Sequence, residues 1–184
     1  MSNTQLLRIS GIECESIVDG DGIRYVIFTQ GCPHHCPGCH NPQTHSFEAG
    51  KLVLLDELLV DISKRRDYID GVTFSGGEPF CQSDQCCIIA EAAHKIGLTV
   101  WCYTGYLFEE LYRRRDKLLE QIDILVDGPF IRTEKSLDLK FRGSRNQRVI
   151  DIPASLKGGI VIEKKENDDY GWYYRKPTGS SKKL

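Results

Sequence analysis

The feature that most constrains this chain is a repeated strand-then-helix alternation with an unusual motif at the end of every strand. Tyr25-Val26-Ile27-Phe28-Thr29 is a compact β-prone run. Leu54, Leu55, Leu58, Leu59 and Ile62 then recur at helical spacing, which predicts a helix over about 53–66. Gly71 to Ser75 reads as a second strand, and 83–96 as a helix with Gly97 at its C′ position. Thr99 to Tyr103 is a third strand, 108–120 a helix, and Ile122 to Val126 a fourth strand. Strands alternating with helices imply parallel βαβ units with right-handed crossovers, so the strand ends share one rim. Too few units are present to close an eight-fold barrel. The expected fold class is therefore α/β, a shortened, open partial (βα) barrel with a mostly parallel sheet.

Four motifs fall on that rim. The first is Gln30-Gly31-Cys32-Pro33-His34-His35-Cys36-Pro37-Gly38-Cys39-His40-Asn41, which holds three cysteines spaced C-x3-C-x2-C. The others are Gly76-Gly77-Glu78-Pro79, Tyr103-Thr104-Gly105 and Asp127-Gly128-Pro129-Phe130. Clustered thiolates select zinc or an iron–sulfur cluster. A structural zinc site closes a four-ligand shell, which His34, His35 or His40 could complete. A cubane cluster usually takes one thiolate per iron, so three thiolates leave one iron open to a substrate. Glycines at 76 and 77 allow close backbone approach. Glu78 offers a carboxylate to an ammonium group, or else opens a helix as an acidic residue beside Pro79.

Composition narrows the class. The chain has 184 residues, enough for one well-packed domain. Its 24 basic and 26 acidic residues give a net charge of −2, with no electrostatic footprint for nucleic acid. No apolar run reaches the length of a membrane span, and residues 1–11 lack the pattern of a signal peptide. The expected location is cytoplasmic, where eight cysteines point to metal or redox chemistry rather than disulfides. Cys14 is expected to precede the first strand. Cys81, Cys86, Cys87 and Cys102 read as small buried hydrophobes. The segment from 164 to 184 is polar and charged, so residues 1–163 are expected to form the domain and 164–184 a partly disordered tail.

With the cysteine loop and Ser75-Gly76-Gly77-Glu78-Pro79 together, the chain resembles the radical S-adenosylmethionine enzymes. The resemblance implies one [4Fe-4S] cluster held by Cys32, Cys36 and Cys39. It also implies S-adenosyl-L-methionine bound near Gly76, Gly77, Glu78, Thr104 and Asp127. In that superfamily an electron from the cluster cleaves the cofactor to methionine and a 5′-deoxyadenosyl radical, so no side chain is expected to be catalytic in its own right. One departure is Gly38, where many members carry a bulky residue against the adenine; something else must then hold it, with His40 and a residue from a later strand as candidates and neither assigned.

Val18-Asp19-Gly20-Asp21-Gly22-Ile23-Arg24, Phe28 to Cys32 and Cys39-His40-Asn41-Pro42 are similar to the activases of glycyl-radical enzymes. Cys36-Pro37-Gly38-Cys39, Asp127 to Phe130 and the run Phe141 to Arg148 are similar to the branch acting on the anaerobic (class III) ribonucleotide reductase. The interval from His40 to Ser75 holds no cysteine, so a second cluster is not expected. The implied partners are the large glycyl-radical subunit of anaerobic ribonucleoside-triphosphate reductase and an electron donor such as flavodoxin or ferredoxin. Pyruvate formate-lyase as partner, a small-molecule radical enzyme and a zinc module remain as alternatives.

Overall fold

The computed structural model describes residues 5–164. The expected tail lies almost wholly outside the described residues. Among the described residues seven strands form one open sheet in the order β3-β1-β2-β4-β5-β6-β7. They are β1 (Leu6–Ser16), β2 (Arg24–Thr29), β3 (Lys51–Leu54), β4 (Gly71–Gly76), β5 (Thr99–Tyr103), β6 (Ile124–Asp127) and β7 (Arg148–Asp151). The central strands β2, β4, β5 and β6 run parallel, as the alternation requires. Helices α1 (Leu55–Arg65), α2 (Ser83–Lys95) and α3 (Phe108–Arg114) follow β3, β4 and β5 in the chain, and α4 (Ile152–Gly158) follows β7.

The outer strands differ from the expectation. Both β1 and β7 pair antiparallel with their neighbours, and β3 pairs antiparallel with β1. Gly11 interrupts the apolar alternation of β1, and a glycine inside a strand weakens its signal. Cys14 therefore lies within β1 rather than before the first strand. The segment expected as a helix over 108–120 is split. Arg115 adopts a left-handed conformation with φ 53° and ends α3, after which Leu119–Gln121 forms a short 3-10 turn.

Alternation within the strands sorts the sheet into two faces. Tyr25, Ile27, Val72, Phe74, Val100, Cys102 and Leu125 join the main core. Leu55, Leu58 and Ile62 of α1 and Cys86, Ile89, Ala90 and Ala93 of α2 pack into the same core at helical spacing. Asp56 and Glu57 begin α1 and Lys64 and Arg65 end it, charges that complement the helix dipole. On the opposite face Trp101, Ile124, Val126 and Val149 form a smaller cluster. That face also carries Phe28, Ser75 and Tyr103, which open onto a cavity. Among the described residues no helix is long and apolar enough to cross a membrane.

The remaining cysteines divide. Cys86 and Cys102 are fully buried, as small hydrophobes should be, and Cys87 is half-buried against the core. Cys81 is exposed, contrary to the expectation, because it lies within the Pro79–Gln82 turn leading into α2 rather than on that helix's core side.

Candidate functional site

A cavity of about 690 Å³ lies against the C-terminal ends of β2, β4, β5 and β6. That volume suits a small-molecule cofactor. Cys32, Cys36 and Cys39 all line it, with Gly76 and Gly77 at the end of β4 and Thr104 and Gly105 at the end of β5. Gly128 and Phe130 follow β6 on the same wall. Register explains the gathering: Phe28 pairs with Ser75 and Thr29 with Gly76, so the cysteine loop and the glycine pair leave adjacent strands at the same level.

The two loops are joined through their backbones. The Gly77 amide donates to the Thr29 carbonyl at 2.8 Å, and the Glu78 amide to the Gly31 carbonyl at 2.8 Å. Gly76 sits at φ +91°, where a Cβ would also strike the backbone of Phe28 at 2.7 Å. The glycines thus serve two ends at once: they permit the close approach and leave bare peptide facing the cavity.

Glu78 does not face the cavity. Its side chain is fully buried and is surrounded by donors. The Phe80 amide reaches Oε1 at 3.1 Å, the Gly105 amide reaches Oε2 at 2.9 Å, and the Thr104 hydroxyl lies 2.9 Å from both oxygens. His34 Nε2 stands 2.7 Å from Oε2. In this arrangement Glu78 is an internal anchor that holds the ends of β4 and β5 against the cysteine loop.

Asp127 is turned inward as well. It is fully buried, accepts from the Phe108 amide at 2.8 Å, and is gripped by the guanidinium of Arg148. Arg148 also holds Glu109 through two bonds of 3.0 and 2.9 Å. Those hydrogen bonds keep the Glu109 carboxyl below its ordinary range. Gly128, not Asp127, meets the cavity.

The thiols carry their own environment. Burial raises the Cys32 thiol, while the amides of His34 and His35 act in the opposite direction. The Asn41 amide points at Cys39 Sγ from 3.4 Å. Amides aimed at sulfur favour thiolate and tune a bound cluster. Among the described residues no three His, Cys, Asp or Glu side chains converge as ligands of one ion.

Residues 139–147 form the far lip, which sequence reading left without a role. Leu139, Lys140, Phe141, Arg142, Gly143 and Gln147 line the cavity. Gln147 holds the turn: its Oε1 accepts from the Gly143 amide at 2.8 Å and its Nε2 donates to the Gly128 carbonyl at 3.1 Å. Gly143 packs beneath the rings of His40 and Phe130, which meet at 4.9 Å. Both rings line the cavity, and Phe130 carried no sequence signal beyond its place after the Asp127-Gly128-Pro129 turn.

A family profile described as a 4Fe-4S single cluster domain matches residues 18–150. The chain is 34% identical over 140 residues to the anaerobic ribonucleoside-triphosphate reductase-activating protein of Salmonella typhimurium, covering 72% of this chain and 91% of the relative. It is 33% identical to the protein of that name from Enterobacteria phage T4, over 72% of this chain and 86% of the relative. A pyruvate formate-lyase-activating enzyme of Clostridium pasteurianum is 38% identical over 67% of this chain, which spans about half of that relative. The cysteine loop, the glycine turn and the far lip all lie inside the matched region, and the chain belongs to the family of anaerobic ribonucleoside-triphosphate reductase-activating proteins, with an iron–sulfur cluster domain at its centre.

Proposed function

We propose that this protein is a radical S-adenosylmethionine activase that generates a glycyl radical on the anaerobic (class III) ribonucleotide reductase. The observation that carries the reading is the meeting of three thiols and an exposed glycine backbone in one cavity at the strand-end rim. Cys32, Cys36 and Cys39 would hold a [4Fe-4S] cluster. The peptide edges of Gly76 and Gly77 would take the methionine end of S-adenosylmethionine. When both are bound, they supply a carbon-centred radical able to remove a glycine Cα hydrogen.

The protein's own work is positioning and exclusion. The buried Glu78 network fixes the β4 and β5 ends, so the cofactor-facing backbone does not have to reorganise on binding. Thr104 belongs to the cavity wall and to that network together. Asp127 acts from behind the wall, by anchoring Arg148 and the start of α3. The ring pair His40 and Phe130 offers flat apolar surface for the adenine, which answers the missing bulk at Gly38. An electron donor of the flavodoxin or ferredoxin kind completes the requirement.

The test mixes anaerobically reconstituted, reduced protein with S-adenosylmethionine and either the reductase or pyruvate formate-lyase from the same cell. Electron paramagnetic resonance should show a glycyl doublet with the reductase. A doublet only with pyruvate formate-lyase would reject the partner and keep the chemistry. No cofactor cleavage in the presence of an intact cluster would reject the chemistry.

A further inference from the structure

We infer that His34 is a positioning residue that locks the cysteine loop to the cofactor-facing turn through Glu78. The proposal deepens the function proposed above and rests on that reading of the cavity. His34 lies between the first two cysteines, with its Nε2 2.7 Å from Glu78 Oε2. Among the described residues it makes the only side-chain hydrogen bond that links residues 33–38 to a segment beyond the cysteine loop. The backbone bonds joining the two loops lie outside that stretch, at Thr29 and Gly31. Without His34, the segment carrying Cys36 would be held by ring packing and by its local turn, in which the Cys39 amide meets the Cys36 carbonyl at 3.1 Å.

The ring is seated for this purpose. It meets Tyr106 edge-on with centroids 4.5 Å apart. Gly105 leaves room beside it, since a Cβ there would come 2.4 Å from the imidazole. The ring is thus wedged where only glycine admits it, and its nitrogen meets a carboxylate that also takes the Thr104 hydroxyl and the Gly105 amide. One buried carboxylate therefore ties three parts of the cavity wall: the cysteine loop, the β4 turn and the β5 end. A hydrogen bond to a buried charged group sets distance and angle more tightly than surface contacts do. What His34 secures is the placement of the thiols relative to Gly76 and Gly77, a relationship that matters when cluster and cofactor must meet and matters little for loading the cluster alone.

Two variants separate the hydrogen bond from the packing. H34F keeps a ring against Tyr106 and removes the donor; Glu78 retains its three other donors, so the fold should survive. H34Q keeps an N–H at nearly the same reach. After anaerobic reconstitution, H34F should retain the wild-type iron and sulfide content. It should bind S-adenosylmethionine about tenfold more weakly, and H34Q should recover most of that loss. Hydrogen exchange on the cluster-free protein supplies a reading that does not depend on the cofactor: H34F should exchange faster over 33–38, with β2 unchanged. Equal cofactor affinity in H34F and wild type, or unchanged exchange over 33–38, would overturn the inference. So would an H34Q as weak as H34F, since returning the N–H would then restore nothing. A wild-type protein that fails to bind the cofactor would sink the reading of the site, while the exchange measurement would still decide the tether.

Discussion

Gly77 lies against Gly31 so closely that a Cβ at position 77 would stand 2.4 Å from the Gly31 carbonyl oxygen. Backbone cannot yield as a flexible side-chain tip can. Gly77→Ala should therefore push the β4 turn off the cysteine loop, costing about 1–3 kcal/mol. Denaturant unfolding of the cluster-free variant measures that cost. Unchanged stability, or an intact affinity for S-adenosylmethionine, would show that the two loops slide apart freely.

The three thiols on the cavity wall should be separable from the other five by substitution to serine. Cys32, Cys36 and Cys39 variants should each lose the cluster, read as iron per chain after anaerobic reconstitution. Variants of Cys14, Cys81, Cys86, Cys87 and Cys102 should keep it. Loss at exposed Cys81 equal to that at Cys36 would defeat the three-ligand arrangement.

Arg148 compensates a fully buried Asp127, so Arg148→Ala should leave that charge unpaired and cost about 3–5 kcal/mol. The affected elements are the start of α3 and the β6–β7 pair. A loss below about 1 kcal/mol in equilibrium unfolding would mean that the Phe108 amide and water suffice.

The same arginine sets a pH dependence through Glu109, whose carboxyl is held below its ordinary range by the Arg148 bonds. A depressed carboxylate contributes stability that is present above the ordinary range and lost as pH falls through the lowered value. Comparing wild type with Glu109→Gln, the stability gap should be largest near neutrality and shrink toward acid. Glu109 is about half exposed, so the gap should stay under about 1 kcal/mol. A gap that widens in acid would reverse the assignment.

Burial lifts the thiols of Cys86 and Cys102 well above the ordinary range. Because the thiolate is the nucleophile, neither should react with iodoacetamide in the native cluster-free protein near pH 8, while both should react after unfolding. Mass spectrometry after timed alkylation reads this directly, and rapid native modification at Cys102 would place it outside the core.

Local pattern determined much of this protein. Apolar spacing marked α1 and α2, and β-prone runs marked the four central strands, because each element reports its own buried face. Motifs at the strand ends placed Cys32, Cys36, Cys39 and Gly76 to Glu78 on one rim, since parallel strands linked by helices have no other arrangement. The antiparallel β1, β3 and β7 were not legible: β1 carries a central glycine, and β3 and β7 are four residues each. Nor were the directions of Glu78 and Asp127. A carboxylate at a strand end looks the same in sequence whether it faces ligand or core. Glu78 turns inward because donors 26 to 44 residues away, at Thr104, Gly105 and His34, converge on it. Asp127 turns inward because Arg148 arrives from the neighbouring strand. Contacts over such separations exist only once the sheet has assembled, so tertiary structure alone decided which rim residues line the cavity and which hold it in shape.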